Sequence, residues 1–325
     1  MLSNYIILAG LMLLVSFAAS VFLTKAWIRA ARRAGLVGKD MNKFEKRDVP
    51  ESGGLAVIFS TVFGTLIYIF VKTFIMHTSE RFILLLAIIT TLLLAGFLGF
   101  IDDILGWKKG LPQWLKPILT IPIAIPIAVL NAGHSVMSIP FFGAIDFGIL
   151  YPILITPIAI MSAANGFNLL AGMNGLEAGM GTIILSTLGL ILFKSAPWLS
   201  LVSFIAVAAL LGFLLFNWYP ARVFPGNGLT YAIGALIAAI AILGNAEKLA
   251  VFLFVPYFIE LALKARYKFK IESFGMPQRD GTLKVPEKSG SLTHVYAKIF
   301  KTERATVFAL LATELCLATI AFFIV

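Results

Sequence analysis

Long apolar segments follow one another along most of this chain, and they constrain its fold more than any other feature. Of its 325 residues, 60% are hydrophobic and 13% are charged, whereas a soluble domain is about 45–50% apolar and about 25% charged. A helix needs about 20 apolar residues to cross a bilayer, where its backbone polar groups must be paired internally. We therefore predict an all-α polytopic membrane protein, a single domain over 1–325 with about ten transmembrane helices. The predicted spans are 4–24, 53–73, 82–101, 117–131, 148–165, 176–193, 199–217, 229–244, 249–265 and 304–324.

The charges around the first apolar segment predict its orientation. Basic residues follow the segment, at Lys25, Arg29, Arg32 and Arg33, and none precedes it. A cleaved signal peptide has the opposite order. We therefore interpret 4–24 as the first spanning helix, with the N-terminus outside.

In this orientation, alternate loops face the cytoplasm and hold nearly all of the basic residues. Of the 26 Lys and Arg residues, all but four lie in these loops or just inside the flanking helix ends. This is the positive-inside pattern, and it predicts a protein of the cell membrane or an ER-type membrane with both termini on the outer side. The predicted cytoplasmic loops are 25–52, 102–116, 166–175, 218–228 and 266–303, the last being a short irregular loop or hairpin. The four exceptions are Lys72, Arg81, Lys194 and Lys248.

Four clusters of polar residues lie at the predicted cytoplasmic ends of the spans. Polar groups at membrane depth are costly, so they are functional candidates by default. The first cluster is Asp102 and Asp103, which close the third span. Adjacent carboxylates repel each other, and a cation such as Mg²⁺, which takes one or two carboxylates plus substrate phosphates, relieves that repulsion. An Asp pair that only marks a helix end at the membrane surface is an equally open interpretation.

The second cluster combines amide side chains with glycines at 165–179. Asn165 and Asn168 are three residues apart and would share one helix face. Gly172 and Gly175 would then let the chain break and approach a ligand closely. The alternative is a simple turn between helices, since Asn-Gly is a common turn dipeptide.

The third and fourth clusters lie at 216–228 and 266–303. In the third, an aromatic belt at the membrane surface explains the Trp and Tyr residues, but it does not explain Arg222 and Asn227. In the fourth, Arg279 lies between Gln and Asp in a basic loop that is otherwise consistent with a solvated surface. The topology was derived from charge counts alone, so the presence of all four clusters on one face indicates one shared site.

Composition also excludes several classes of site. A single cysteine, Cys316, excludes an intramolecular disulfide or a Cys-based zinc cluster, and three His residues argue against a His-rich metal site. A secondary transporter would carry polar residues near the bilayer midplane, often with internal repeats, and the sequence has neither. It stays open as an alternative.

Two of these motifs resemble a known family. Asn-Leu-Leu-Ala-Gly-Met-Asn-Gly-Leu-Glu-Ala-Gly at 168–179 and Phe-Asn-Trp-Tyr-Pro-Ala-Arg-Val-Phe at 216–224 resemble the polyprenyl-phosphate N-acetylhexosamine-1-phosphate transferase superfamily, in particular its dolichyl-phosphate N-acetylglucosamine-phosphotransferases. The resemblance implies transfer of N-acetylglucosamine-1-phosphate from UDP-N-acetylglucosamine to a polyprenyl (dolichyl-type) phosphate, with release of UMP. In that family, this is the first step of lipid-linked oligosaccharide synthesis.

The resemblance also implies roles for individual residues. Asp102, Asp103 and Lys116 match the catalytic positions, with Lys109 as the alternative lysine. Asn168 matches a metal ligand, and Asn174 and Phe224 match residues that hold the uracil. The other expected substrate-binding residues are Asp40 and Asn42 (near Pro50 and Gly53), Asn165, Arg222 and Arg279, the last near the sugar and pyrophosphate.

The chain departs from the family pattern at Asn227, where the dolichyl enzymes carry an Asp that binds the metal. An amide oxygen still coordinates Mg²⁺ but contributes no charge. The last loop lacks the His cluster of the peptidoglycan enzymes and is short, as in a compact archaeal-type relative. The expected partners are Mg²⁺ (or Mn²⁺), both substrates and membrane lipids, without nucleic acid, and a homodimer is left open. Another UDP-N-acetylhexosamine as donor, or an inactive scaffold homologue, are the remaining alternatives.

Overall fold

The computed structural model describes residues 2–106, 110–130, 133, 135–139 and 143–324. Within these residues, eight helices are long and apolar enough to cross a membrane. The prediction of a mostly helical integral membrane protein is therefore confirmed. The helices are α1 (Leu2–Arg33), α2 (Gly54–Phe70), α3 (Phe82–Leu105), α4 (Leu115–Thr120), α5 (Ile125–Ala128), α6 (Thr156–Leu169), α7 (Leu176–Ser195), α8 (Pro197–Asn217), α9 (Gly226–Leu243), α10 (Glu247–Leu253), α11 (Val255–Arg266), α12 (Leu292–Phe300) and α13 (Glu303–Ile324).

Two predicted spans, 117–131 and 249–265, form shorter and interrupted helices. Three prolines divide the first into α4, a 3₁₀ turn and α5, because proline removes a backbone donor and disturbs the helix. The apolar stretch Leu115–Ala128 would be about 21 Å long at about 1.5 Å per residue, less than the roughly 30 Å of a hydrocarbon core. The second span breaks at Phe254, between α10 and α11.

These two short segments run between the two ends of the bundle. Lys116, at the start of α4, lies beside Asp102 at the end of α3, whereas Gly133 packs against Ile242 at the other end of α9. Similarly, α10 begins just after α9, and Lys264 near the end of α11 reaches the carbonyl of the last residue of α6. We call the end that holds Asp102 the site end and the opposite end the far end.

Three short antiparallel strand pairs order the loops. They are β1 (Val37–Lys39) with β2 (Asp48–Pro50), β3 (Val136–Ile139) with β4 (Gly143–Asp146), and β5 (Met276–Pro277) with β6 (Leu283–Lys284). The first pair folds the 34–53 loop back towards α2. The third pair and α12 lie within 266–303.

Helix α9 is the centre of the bundle, and most of its side chains are buried between α3 and α6. Glycines permit this close packing. A Cβ at Gly99 of α3 would lie 2.3 Å from the carbonyl oxygen of Asn227, and one at Gly234 would lie 2.4 Å from that of Ala163 on α6. Small residues at helix interfaces let backbones approach within a membrane. The carboxylates of α3 and the amides of α6 are thereby brought to the same end of α9.

Candidate active site

Asp102 is a buried carboxylate at the end of α3 with three donors around it. Its Oδ2 accepts hydrogen bonds from Lys116 Nζ at 2.6 Å and from Asn227 Nδ2 at 2.8 Å, and its Oδ1 accepts one from the Leu111 backbone N–H at 2.7 Å. The side chain of Lys116 is 11% exposed. The carboxylate therefore holds a nearly buried ammonium group in place at the site end.

Asp103, its neighbour, binds the N-terminus of α9. Its Oδ1 accepts the backbone N–H of Asn227 at 2.7 Å, and its Oδ2 accepts the Ser52 hydroxyl at 2.9 Å and lies 3.4 Å from the Gly228 nitrogen. A negative charge is stabilised at this end of a helix. The two aspartates are thus adjacent in sequence but differ in function within the fold, because one orients a lysine and the other caps the central helix.

Asn227 lies in the first turn of α9 and does not cap this helix. Helix α9 begins at Gly226, and no side chain of its own segment caps it. Asp103 supplies the cap from α3, while the Asn227 amide donates to Asp102. A Cβ at Gly226, where φ is +71°, would lie 2.2 Å from Asp103 Oδ2, so this approach requires glycine.

Asn168 and Asn165 both lie in α6, as their spacing predicts. The Thr230 hydroxyl of α9 is 2.7 Å from Asn168 Oδ1 and 3.1 Å from the carbonyl oxygen of Asn227. Asn168 and Asn227 therefore meet the same turn of α9. Asn165 instead donates to the Thr120 hydroxyl and to a carbonyl of α6, so it ties α6 to the segment after Lys116.

A second polar group surrounds Asn174, in the break between α6 and α7. Its backbone N–H donates to Glu303 at 2.8 Å, its Nδ2 lies 3.3 Å from Asp40 Oδ2, and its Oδ1 accepts from the Ala221 N–H at 2.8 Å and from Lys43 at 3.3 Å. This Asn174 group joins four segments that are far apart in sequence.

Asn42 connects the same loops through backbone groups. Its Nδ2 donates to the Gly172 carbonyl at 2.7 Å, and its Oδ1 accepts the Gly275 N–H at 3.2 Å. Gly172 and Gly175 have φ values of +105° and +82°, which supports the predicted chain break. The predicted residues Asp40, Asn42 and Asn174 are therefore brought together.

Three of the remaining predicted residues, Phe224, Arg222 and Arg279, differ in their contacts and exposure. The backbone of Phe224 pairs with Pro50 and Gly53, each at 2.8 Å, so the third cluster is joined to the first loop. Arg222 is exposed and bonded to the Leu215 carbonyl of its own segment. The other two are Arg279, whose guanidinium lies 5.6 Å from the Phe44 ring, and Lys109, which lies outside the described residues.

Sequence reasoning missed Lys43 and Glu303. Lys43 pairs with Asp40 at 3.4 Å, forms an ion pair with Glu303, and lies 4.1 Å from the centroid of the Tyr219 ring. Little in the sequence indicated a functional role for these two residues. Lys43 follows Asp40 by three residues, and Glu303 begins the last span, where an acidic residue had no assigned role.

Two further acidic residues complete the site end, Glu177 and Glu51. Glu177 is buried, and its Oε1 accepts the Gly172 N–H at 2.8 Å. Burial, together with the negative charges of Asp103 and Glu177, raises the pKa of Glu51 to about 8. Glu51 therefore lies within electrostatic range of Asp103 and of Glu177. The sequence feature that could have identified Glu51 is its position between Pro50 and Gly53.

The side chains around Asp102 have the chemistry of a Mg²⁺ site. Asp102, Asn168 and Asn227 supply carboxylate and amide oxygens, the ligand type that Mg²⁺ takes together with substrate phosphates. Rotating the Asn227 amide exchanges its nitrogen for its oxygen. Among the described residues, no group of three or more His, Cys, Asp or Glu side chains could hold a metal, so such a site would depend on amide and substrate oxygens.

Comparisons with known proteins identify the family of this chain. The model of the family described as glycosyl transferase family 4 matches residues 84–245. A Sulfolobus acidocaldarius protein is 39% identical over 299 residues, which cover 90% of this chain and 89% of the relative. A Saccharolobus solfataricus protein is 41% identical over 291 residues, covering 88% and 87%. Both are provisionally named UDP-N-acetylglucosamine–dolichyl-phosphate N-acetylglucosaminephosphotransferases. The Dictyostelium discoideum protein of that name is 29% identical, covering 74% of this chain and 67% of the relative.

The helical bundle, its polar site end and these matches define a membrane-embedded glycosyl transferase. Within that class, the chain belongs to the polyprenyl-phosphate N-acetylhexosamine-1-phosphate transferase superfamily.

Proposed function

We propose that this protein transfers N-acetylglucosamine-1-phosphate from UDP-N-acetylglucosamine to a dolichyl-type polyprenyl phosphate and releases UMP. The observation that carries the proposal is the presence of two polar groups at one end of the bundle. Asp102 holds Lys116 in one of them, and the Asn174 group forms the other. The 34–53 loop contacts both, because Ser52 donates to Asp103 and Asp40 accepts from Asn174. A nucleotide sugar needs both kinds of contact, because its base must be recognised and its pyrophosphate charge balanced.

The Asn174 group would hold the nucleoside. Asn174 would read the edge of the uracil and Phe224 would stack on its face. Asp40 and Asn42 fix the loops behind them. The exposed Arg222 and Arg279 are available to the sugar and pyrophosphate.

The chemistry would take place beside Asp102. An oxygen of the lipid phosphate forms a bond to the β-phosphorus while the bond from that phosphorus to the oxygen bridging the two phosphates breaks, and UMP departs. A phosphate monoester with a second pKa of about 6 is already largely dianionic at pH 7, so a strong base is not required. Lys116 would neutralise the transferring or leaving oxygens, and Asp102 would keep it oriented.

Mg²⁺, or Mn²⁺ in its place, would neutralise the pyrophosphate oxygens when bound. Asn168 and Asn227 are the proposed protein ligands, with Asp102 beside them. The amide at 227 supplies an oxygen without a charge, so the substrate phosphates would carry most of the attraction for the cation.

The proposed topology has ten crossings, the eight long helices and the two short segments, with the site end in the cytoplasm and both termini outside. This assignment is supported by the distribution of charge. Arg81, Lys194 and Lys248, three of the four basic residues outside the predicted cytoplasmic loops, lie at the far end.

The direct test is an assay of the purified protein in detergent with UDP-N-acetylglucosamine, polyprenyl phosphate and Mg²⁺. We expect UMP and a lipid-linked sugar pyrophosphate to appear together, and both to be absent for Lys116→Ala. Because no membrane separates two compartments in this assay, UMP release also excludes pure transport. Absence of product with this donor but formation with another UDP-N-acetylhexosamine would reassign the donor. Inactivity with every donor would favour a scaffold.

A further inference from the structure

A large cavity lies at the far end of the bundle, away from the proposed active site. Its volume is about 1120 Å³, and it lies between the start of α3, the α7–α8 turn, the α9–α10 turn and the segment after α5. The floor and walls include the apolar side chains Leu84, Trp198 and Phe252. The proposed transfer reaction makes no use of this cavity.

The cavity gathers basic residues that the topology does not explain. Arg81, Lys194 and Lys248 come from three different turns, and all three line it. Among the described residues, none of their side chains forms an ion pair or a hydrogen bond. The fourth exception to the positive-inside pattern, Lys72, is buried and donates to the Glu80 carbonyl at 2.7 Å, so its position has a local explanation.

The net charge of the cavity is positive. Among the described residues of its lining, Glu247 is the one carboxylate, and it already accepts a hydrogen bond from the buried Tyr151 hydroxyl. Arg81 has a φ of +64°, a conformation that is uncommon for a non-glycine residue. One of the three cations of the lining is thus held in an uncommon backbone conformation.

We propose that this cavity binds the phosphate-bearing headgroup of an anionic membrane lipid from the leaflet that meets the far end. The three positive charges complement the negative charge of a phosphate, and the apolar walls can contact the first part of the acyl or isoprenoid chains. Trp198 fits the same location, since Trp is enriched where a membrane meets water. An ordinary soluble anion would use the charges but not the apolar walls.

The test measures lipid binding at this one cavity. The purified protein in neutral detergent is titrated with brominated phosphatidylglycerol or brominated phosphatidylcholine, and quenching of Trp fluorescence is recorded. The part of the quenching that disappears in Trp198→Phe reports the cavity. We expect tighter binding of the anionic lipid in this signal. The triple variant Arg81→Gln, Lys194→Gln, Lys248→Gln should weaken it by about five-fold per charge, on the order of 100-fold in total.

A matched control removes the same charge from the site end. Lys268, Lys270 and Lys288 are exposed, and changing all three to Gln should leave the Trp198 signal unaltered. If the far-end triple variant does not fold, Lys194→Gln alone should still lower the affinity by about five-fold.

Three results would overturn the proposal. The first is equal binding of both lipids by the wild type. The second is a far-end triple variant that still prefers the anionic lipid. The third is displacement of the lipid by inorganic phosphate at equal concentration. The last result would assign the cavity to a free anion.

Discussion

The two halves of the site end are built in different ways. The Asp102 half is carried on helices, where α3, α4 and α9 fix Lys116 and both carboxylates. The Asn174 half is carried on loops, which are held together by hydrogen bonds between segments and by two glycines with positive φ. The difference suggests a division of labour, in which the rigid half sets the rate of transfer and the loop half sets the affinity for the nucleotide.

The largest expected effect is on the rate, from Lys116→Ala. Loss of one preorganised charge-stabilising group typically costs about 10²–10³ in turnover, whereas binding of UDP-N-acetylglucosamine should change little. Steady-state kinetics and equilibrium binding on the same preparation separate the two quantities. Lys288→Ala, an exposed lysine, is the control. If Lys116→Ala stays active and Lys109→Ala is inactive, the catalytic lysine is Lys109. If Lys116→Ala lowers binding and turnover equally, the division of labour between the two halves is contradicted.

The complementary variant in the loop half is Phe224→Ala, which should act mainly on affinity. Stacking on a base contributes roughly 1–3 kcal/mol, so nucleotide affinity should fall about 5- to 150-fold while turnover at saturation is nearly kept. Calorimetric titration with UDP-N-acetylglucosamine measures the loss. Phe74→Ala, at an exposed position near the far end of α2, should have no effect. An unchanged affinity for Phe224→Ala would mean that this ring does not bind the nucleotide and belongs to the aromatic belt at the membrane surface.

Glu51 lies in the 34–53 loop, which contacts both halves through Ser52 and Asp40, and its titration should appear in the pH dependence of stability. Its pKa is raised by burial from 4.5 to about 8, so the folded protein binds more protons than the unfolded chain between these values, and stability falls as the pH rises through this window. Glu51→Gln should therefore be increasingly stabilising, relative to the wild type, from about pH 5 to about pH 8. Thermal unfolding midpoints across this range measure the difference. Glu45→Gln, an exposed acid in the same loop, should leave the pH dependence unchanged, and a parallel shift at every pH for Glu51→Gln would contradict the assignment.

The smallest expected effect is a change of metal dependence at Asn227. Its Nδ2 lies 2.8 Å from Asp102 Oδ2, so Asn227→Asp places a second negative charge against that carboxylate, and a divalent cation relieves the repulsion. The Mg²⁺ concentration for half-maximal activity should fall by about tenfold, because ligand charge tunes metal affinity. Asn245→Asp, the same change just after the other end of α9, is the control. Identical metal titrations for Asn227→Asp and the wild type would remove Asn227 from the proposed metal ligands.

The sequence predicted the parts of this site that depend on local pattern. The Asp pair at a helix end, the Asn165–Asn168 face and the glycine break all follow from spacing, and the charge bias brought the four clusters to one end. The Lys43–Glu303 pair could not be predicted in this way, because its partners are 260 positions apart and meet only through the packing of α13. The cap that Asp103 supplies to α9, 124 positions away, is likewise a property of the bundle.

The two short spans show the same limit within the fold. Apolar composition predicted 117–131 and 249–265 as spans, but it could not give their breaks or lengths. Those depend on the prolines and on neighbours such as α6 and α9, which supply the surfaces that the short helices pack against.

The central claim is that the bond broken lies between the two phosphates of the donor, and a double-label experiment tests it most directly. UDP-N-acetylglucosamine carrying ³²P in the β-phosphate and ¹⁴C in the sugar is incubated with the purified protein, polyprenyl phosphate and Mg²⁺. We predict that both labels enter the lipid in a 1:1 ratio while unlabelled UMP is released. Transfer of ¹⁴C alone, with ³²P recovered in UDP, would mean that the sugar–phosphate bond is cleaved instead, and it would contradict the account.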